Sequence, residues 1–238
     1  MEMSRGVVKD ALRLGLLLVA FVFALSACGG GGGAAGGGGG GAEVEGEQAE
    51  ARTLPEYGDL SPGKYTTDEF KPAFSFEVIG EGWVVGGAEE RDVLDMKLGA
   101  EGPLLSFVNE QRVFDPSRPR DLVAVSAPED LAAWLRRHPY LRTDDPRPVT
   151  VGGVEGVRLD ATVADVPASE CGETCLGLYE VSPDIDWVLY EEEKVRFIVL
   201  EDVGGERVTI GVAAPAADFE EFLPKAQQVI DTVEWEGT

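Results

Sequence analysis

Residues 197–212 read Phe-Ile-Val-Leu-Glu-Asp-Val-Gly-Gly-Glu-Arg-Val-Thr-Ile-Gly-Val. Two apolar runs of strand length flank the pair Gly204-Gly205, a sequence typical of a two-residue hairpin turn. Such a short turn joins antiparallel strands only, because parallel strands need a long crossover connection. We therefore expect an antiparallel sheet that includes this hairpin.

Alternating apolar and polar residues predict the strands that precede Gly204, including the first strand of the hairpin. They cover residues 73–79, 83–85, 93–98, 104–114, 149–151, 157–163, 175–181, 185–190 and 195–202. The Gly-Glu-Gly sequence at 80–82 predicts a turn, with 83–85 as the short return strand. Residues 99–103 similarly join the strand 93–98 to the strand 104–114.

Two helices are predicted from apolar residues at helical spacing. The first follows Ser126, which with Glu129 fits a capping box, and it ends at Pro139. The second runs from about residue 215 to residue 233, where Pro224 predicts a kink.

The order of these elements predicts the fold class. Several strands, a helix, a run of strands and a terminal helix, joined by short turns, are typical of an α+β protein. We expect an antiparallel sheet flanked by two helices. No internal repeat is found, so residues 57–238 are interpreted as a single globular domain.

The first 27 residues are typical of a signal peptide. Arg5, Lys9 and Arg13 form a positively charged start, and residues 14–27 carry no charge and are rich in Leu, Val and Phe. Fourteen residues suit the apolar region of a signal peptide. They fall short of the roughly 20 that a permanent membrane-spanning helix needs.

The apolar run ends with Leu25-Ser26-Ala27-Cys28. This sequence resembles the lipobox of bacterial lipoproteins: Leu, two small residues and Cys. The resemblance implies that Cys28 carries a diacylglyceryl group and that a peptidase cuts just before it. It also implies an extracytoplasmic protein anchored to the cell membrane by lipid. The alternative is an ordinary secretory signal peptide with an unrelated cysteine.

Residues 28–56 are predicted to be a flexible linker that begins with the lipidated cysteine. Residues 29–41 contain eleven glycines and two alanines, and an acidic segment without apolar periodicity follows. Gly-rich chain is a flexible coil, and neighbouring acidic chain is extended by self-repulsion. The glycine patterns here do not indicate dinucleotide binding, because no strand precedes them and no helix follows.

The charge of the chain excludes some partners. The net charge is -24, from 44 acidic and 20 basic residues. Residues 1–27 hold three basic and two acidic residues, so their removal leaves -25. Such a surface repels nucleic-acid phosphates and anionic lipid headgroups. Nucleic acid is therefore not an expected partner, and the membrane contact must come from the lipid.

Three short motifs resemble the Mog1/PsbP-like family. They are Phe74-Ser75-Phe76 leading to Glu81-Gly82-Trp83, then Val151-Gly152-Gly153-Val154-Glu155-Gly156, and finally Thr232-Val233-Glu234-Trp235. The similarity covers at most residues 65–236. It implies an antiparallel sheet flanked by helices, with a C-terminal helix across it. It also implies a binding or assembly factor, since that is what most members of the family are.

Cys171 and Cys175 are the only cysteines left once Cys28 is used for lipid. The exported compartment is oxidising enough to keep disulfides, and the short segment with its glycine can bring the two Cα atoms within bridging range. We predict a disulfide between them. A redox-active pair lacks the usual C-x-x-C spacing, and a zinc site lacks ligands.

No catalytic, cofactor-binding or metal-ligating residue is predicted. His138, the only histidine, is expected to be a structural residue whose positive charge favours the helix end. The Ser-x-x-Lys match from Ser61 to Lys64 contains Pro-Gly, which excludes the helix that this motif needs. The densest acidic cluster, Asp184, Asp186, Glu191, Glu192 and Glu193, is interpreted as a solvated strand edge.

Three functions remain open. The preferred one is a non-catalytic binding or assembly module for an unknown envelope protein or small ligand. A structural envelope protein and a carboxylate-dependent hydrolase are the alternatives. A deep pocket with facing carboxylates, or with one of raised pKa, would favour the hydrolase, whereas a shallow aromatic sheet face would favour binding.

Overall fold

The computed structural model describes residues 51–67, 69–86, 91–167, 174–182 and 185–237, without the side chains of 182, 185 and 186. These residues form two helices and many more strands, so the predicted α+β class is confirmed in this broad sense. Neither helix is long and apolar enough to cross a bilayer within the described part of the chain.

The strands and helices have the following bounds in chain order. They are β1 (Arg52–Thr53), β2 (Gly58–Leu60), β3 (Gly63–Thr66), β4 (Phe74–Val78), β5 (Trp83–Val85), β6 (Val93–Leu98), β7 (Leu104–Val108), β8 (Arg112–Phe114), β9 (Ala124–Ser126), α1 (Leu131–Arg137), β10 (Leu141–Thr143), β11 (Arg147–Val151), β12 (Val154–Val163), β13 (Cys175–Ser182), β14 (Ile185–Tyr190), β15 (Glu193–Val203), β16 (Glu206–Pro215), α2 (Phe219–Ile230) and β17 (Glu234–Trp235).

The strands form three sheets. The central sheet has nine strands in the order β10-β12-β15-β16-β7-β6-β5-β2, with β11 paired to β12. The small sheet has the order β1-β3-β4-β17, and the third sheet has the order β14-β13-β8-β9. All neighbouring pairs are antiparallel except β1 with β3.

The predicted hairpin at Gly204-Gly205 is confirmed. It joins β15 to β16, the most extensively paired strands of the central sheet. The φ angles of the two glycines are 64° and 95°. A two-residue turn of this kind needs positive φ at both positions, which glycine adopts without strain.

Each face of the central sheet packs against its own hydrophobic core. Ile198 and Leu200 of β15 lie in the core shared with α2 and the small sheet. Phe197 and Val199, which alternate with them, lie in the core shared with α1 and the third sheet. This alternation follows from the two-residue period of a strand. Both faces are therefore covered, each by one helix and one additional sheet.

Two expected strand arrangements are wrong. The strand β5 does not return along β4 but pairs with β2 and β6. β4 instead buries Phe74 and Phe76 against the central sheet and pairs with β3 and β17. The predicted strand 104–114 is divided into β7 and β8, because the chain passes from the central sheet to the third sheet between them.

The predicted helices exist but begin later than expected. α1 is capped by Asp130, whose carboxylate accepts a 2.8 Å hydrogen bond from the Ala133 N–H. Ser126 belongs to β9, so the predicted capping box is wrong. α2 begins at Phe219, because residues up to Pro215 are paired in β16, and Pro224 lies within the helix as predicted.

The folded part begins before the predicted boundary at residue 57. Arg52 and Thr53 pair with Tyr65 and Thr66 in the small sheet, and Leu54 is buried in the adjoining core. The end of the predicted linker 28–56 is therefore structured, because one buried leucine and the two residue pairs between β1 and β3 attach it to the domain.

Candidate functional site

The predicted cysteine sites lie mostly outside the described residues. Cys28, the signal peptide 1–27 and the glycine run all belong to the part that the structure does not describe, as does Cys171. Cys175 is the first residue of β13, is buried, and is disulfide-bonded. Its pairing with Cys171 remains a prediction.

His138 is buried at the C-terminal end of α1. Its ring contacts the rings of Trp134 and Tyr140, with centroid distances of 4.9 and 5.9 Å. Burial lowers the pKa of His138 to about 4, so the ring is neutral near pH 7. The predicted structural role agrees with this position, but the predicted positive charge at the helix end is wrong, because burial disfavours the charged form of the ring.

The acidic cluster is only partly a solvated edge. Asp184 and the side chain of Asp186 lie outside the part of the chain that the structure describes. Glu192 is exposed. Glu191 and Glu193 are half-buried, and each accepts a backbone hydrogen bond. The prediction is therefore wrong for these two, because the chain around them folds back and supplies N–H donors.

The match from Ser61 to Lys64 forms no helix. Lys64 lies in β3 and its ammonium group contacts the Glu234 carboxylate at 2.5 Å. The structure thus agrees with the sequence argument that this segment is not a serine acyl-enzyme motif.

The best candidate site is a cleft between the central sheet and β14, the edge strand of the third sheet. Its volume is about 480 Å³, within the range of small-molecule sites. Strands β6, β7 and β16 contribute to one side, and β14 contributes Trp187 and Val188 to the other. The ionisable and aromatic groups that line the cleft are Asp95, Lys97, Glu101, Trp187, Tyr190, Glu193 and Asp218.

Strand periodicity places the polar residues of β6 in this cleft. Leu94 and Met96 are fully buried in the core on the α2 side of the central sheet. Asp95 and Lys97 alternate with them and therefore lie on the opposite face. Both line the cleft.

A two-step hydrogen-bond relay holds the carboxyl group of Asp95. Trp187 Nε1–H donates to Ser106 Oγ at 3.1 Å, and the Ser106 hydroxyl donates to Asp95 Oδ1. Gly211 on β16 gives the indole its space, because an added Cβ would lie 2.7 Å from Trp187 Cζ2. The relay joins the third sheet to the floor of the cleft and fixes the direction of one carboxylate oxygen.

Two carboxyl groups of the cleft bind their protons more tightly than usual. Burial raises the pKa of Asp95, although the Ser106 hydrogen bond and the Lys97 charge oppose this. Burial also raises the pKa of Glu193, against the backbone hydrogen bond from Tyr190. Carboxyl groups shifted in this way are a common feature of functional sites.

The cleft carries an excess of acidic groups. Its walls hold the carboxyl groups of Asp95, Glu101, Glu193 and Asp218 against the single amine of Lys97. Among the described residues, neither Asp95 nor Lys97 takes part in an ion pair. The arrangement can therefore offer hydrogen-bond acceptors and negative potential to a ligand.

Sequence reasoning missed Asp95, Ser106 and Gly211. The available signal was a small or polar residue between buried apolar residues on each of three strands. Such residues in predicted core strands indicate a buried network or a close approach of another group. The sequence does not reveal that the three strands are neighbours.

The described residues contain no group of three or more His, Cys, Asp or Glu side chains arranged to hold a metal ion. No family model matches the chain, and no curated protein matches it either.

Proposed function

We propose that the protein is a bacterial lipoprotein on the extracytoplasmic face of the cell membrane, acting as a non-catalytic binding or assembly module. The positively charged start, the uncharged segment 14–27 and the lipobox ending in Cys28 support the location. Two acyl chains give stable anchoring by themselves. The acidic surface therefore does not prevent attachment, although it repels anionic headgroups.

The glycine-rich and acidic segment between Cys28 and the folded domain acts as a spacer. About 25 flexible residues have a root-mean-square reach of roughly 25–30 Å. Such a reach lets the domain meet partners away from the bilayer surface. The resemblance to the Mog1/PsbP-like family, whose members are mostly binding or assembly factors, supports the same function.

The binding proposal rests mainly on one observation: the hydrogen-bond relay fixes the orientation of the Asp95 carboxyl group. Side chains oriented by a second layer of hydrogen bonds are typical of ligand sites, because orientation before binding reduces its entropic cost. The excess of carboxyl groups around it favours a cationic or neutral ligand over an anionic one. That ligand is either a small molecule or a side chain of an envelope protein.

The test compares capture of envelope components by wild-type protein and by Asp95→Asn, using the full lipidated chain in detergent. Asp59→Asn is the matched control. Asp59 is exposed on β2, and its substitution changes the net charge by the same amount as Asp95→Asn does. We expect a component that wild type and Asp59→Asn retain and that Asp95→Asn loses. Identical captured sets for all three proteins would contradict a ligand site at Asp95.

A carboxylate-dependent hydrolase is the second candidate, favoured by the two carboxyl groups of raised pKa in one cleft. A hydrolase would need one protonated and one ionised group near the scissile bond. Turnover of a cell-wall polymer by wild type, lost in both Asp95→Asn and Glu193→Gln, would replace the non-catalytic proposal. A purely structural envelope protein would show neither turnover nor capture that depends on Asp95.

A further inference from the structure

A second polar cluster lies buried between the central sheet and the third sheet. It consists of Glu110, in the connection from β7 to β8, with Thr209 of β16 and Tyr179 of β13. Tyr179 lies near enough to Glu110 that the charge of that carboxylate, together with burial, raises the pKa of the Tyr179 hydroxyl. The Thr209 hydroxyl donates to Glu110 Oε1 at 3.0 Å. Glu110 Oε2 and the Tyr179 hydroxyl are enclosed without a hydrogen-bond partner in the described part of the chain. Enclosed, unsatisfied polar atoms are rare and costly, so this arrangement requires an explanation.

The positive charge that acts on Glu110 is that of Arg207, whose side-chain hydrogen bonds go to other groups. Arg207 donates to the Glu201 carboxylate at 2.7 Å and to the carbonyl groups of Pro128 and Glu129 at 2.8 Å each. Burial raises the pKa of Glu110 to about 8, against the hydrogen bonds from its own backbone N–H and from Thr209, and against the more distant charge of Arg207, whereas Glu201 raises it. Glu110 is therefore mostly protonated at neutral pH, and the cluster is then uncharged.

The cluster is connected to the wall of the cleft. Tyr179 and Trp187 are cross-strand partners whose rings stack at 5.4 Å. Trp187 is the donor at the start of the relay to Asp95. Tyr179, which lies near Glu110, and Trp187, which lines the cleft, therefore belong to two paired strands, β13 and β14.

We propose that Glu110, Thr209 and Tyr179 form a pH-sensitive latch between the two sheets, and that ionisation of Glu110 loosens β13 and β14. The effect of this loosening on ligand binding rests on the proposed function of the cleft. The latch itself does not depend on that function. When the third sheet is closed, an ionised Glu110 carboxylate loses its hydration without gaining a contacting cation. When the sheet opens, water restores that hydration.

The direction of the pH dependence follows from the proton that the closed state retains. An open state has an ordinary carboxyl pKa, so it loses its proton at lower pH than the closed state does. The opening equilibrium constant therefore rises by about tenfold per pH unit from about pH 5 to about pH 8, and is constant above that.

Hydrogen–deuterium exchange of the full chain, without ligand and corrected for intrinsic exchange rates, tests the latch. Between pH 5.5 and 7.5 we expect protection of the β13 and β14 amides to fall by about 100-fold. Protection of α2, which lies in the other core, is expected to be unchanged. Glu110→Gln should abolish the pH dependence in β13 and β14, and the exposed control Glu155→Gln should keep it.

Thr209→Val provides an independent variant in case Glu110→Gln does not fold. It removes the hydrogen bond that lowers the pKa of Glu110, so the fall in protection should end at a higher pH than in wild type. Protection that is constant with pH in wild type, or equally pH-dependent in Glu110→Gln, would overturn the latch. Exchange is measured without ligand, so this result is separate from the outcome of the Asp95→Asn capture experiment.

Discussion

The indole N–H of Trp187 lies 3.1 Å from the hydroxyl oxygen of Ser106, and this hydrogen bond joins two different sheets. Ser106 donates its own hydroxyl proton to Asp95. The two hydrogen bonds therefore run in one direction, from the third sheet to the cleft. The third sheet therefore does more than cover the core, because it also orients a carboxyl group on the central sheet.

Ser106→Ala should raise the pKa of Asp95 further. The Ser106 hydrogen bond stabilises the ionised carboxylate and opposes the effect of burial. The change also leaves the Trp187 N–H without its acceptor, at a cost of about 1–3 kcal/mol in the free energy of unfolding. Carboxyl-carbon NMR titration and chemical denaturation measure the two effects. An unchanged Asp95 titration would show that the relay does not act on this group.

Gly211→Ala should destabilise the protein by about 1–3 kcal/mol, because the new methyl group overlaps the Trp187 ring. Chemical denaturation measures this cost. Repeating the substitution in a Trp187→Phe background provides the control, since the smaller ring leaves room. Equal costs in both backgrounds would mean that the indole is not the cause.

The single histidine resonance should titrate near pH 4 in the folded protein. In the unfolded chain His138 accepts its proton near pH 6.5, so the folded state becomes less stable as the pH falls from 6.5 towards 4. His138→Gln should remove this part of the acid sensitivity. An NMR titration midpoint near 6.5 would contradict burial of the ring.

Cys28→Ala should leave the protein unprocessed or release it in soluble form, because the acyl chains supply the anchor. Membrane fractionation followed by intact-mass measurement checks this. Cys171→Ala is the control and should remain in the membrane fraction. A Cys28→Ala protein that fractionates like wild type would refute the lipid anchor.

Cys175 should be linked to Cys171 in the mature protein. Peptide mapping without reduction would identify the cross-link, and reduction should cost about 2 kcal/mol, as expected for so small a loop. The measurement is the shift in denaturation midpoint with and without reductant. Alkylation of a free Cys171 thiol in the folded, unreduced protein would disprove this pairing.

Local patterns predicted the elements that depend on neighbouring residues. The hairpin at Gly204-Gly205 is present because its turn geometry is decided by two glycines. The strand 157–163 lies within β12, and α1 ends before Pro139, since proline cannot continue a helix. In these cases the decisive interaction lies within a few residues of the pattern.

Predictions from local patterns are wrong where pairing with a distant segment decides the structure of the residues. Ser126 and Glu129 fit a capping box, but pairing of β9 with β8 holds Ser126 in a strand. Asp130 then caps the helix instead. Trp83 follows an ordinary turn sequence, yet β5 pairs with β2 and β6. Both edges of β4 are already paired, one with β3 and the other with β17.

The sequence by itself determined the α+β class, the central hairpin, the acidic character and the predicted lipoprotein signal at Cys28, because each depends on composition or on contiguous residues. Only the tertiary structure decided that Asp95, Ser106 and Trp187 form one relay, and that Glu110 is enclosed with Tyr179. Asp95 and Ser106 come from two strands of the central sheet, Trp187 and Tyr179 from the third sheet, and Glu110 from the connection between β7 and β8. Their burial and protonation depend on how the sheets stack, which no local pattern specifies.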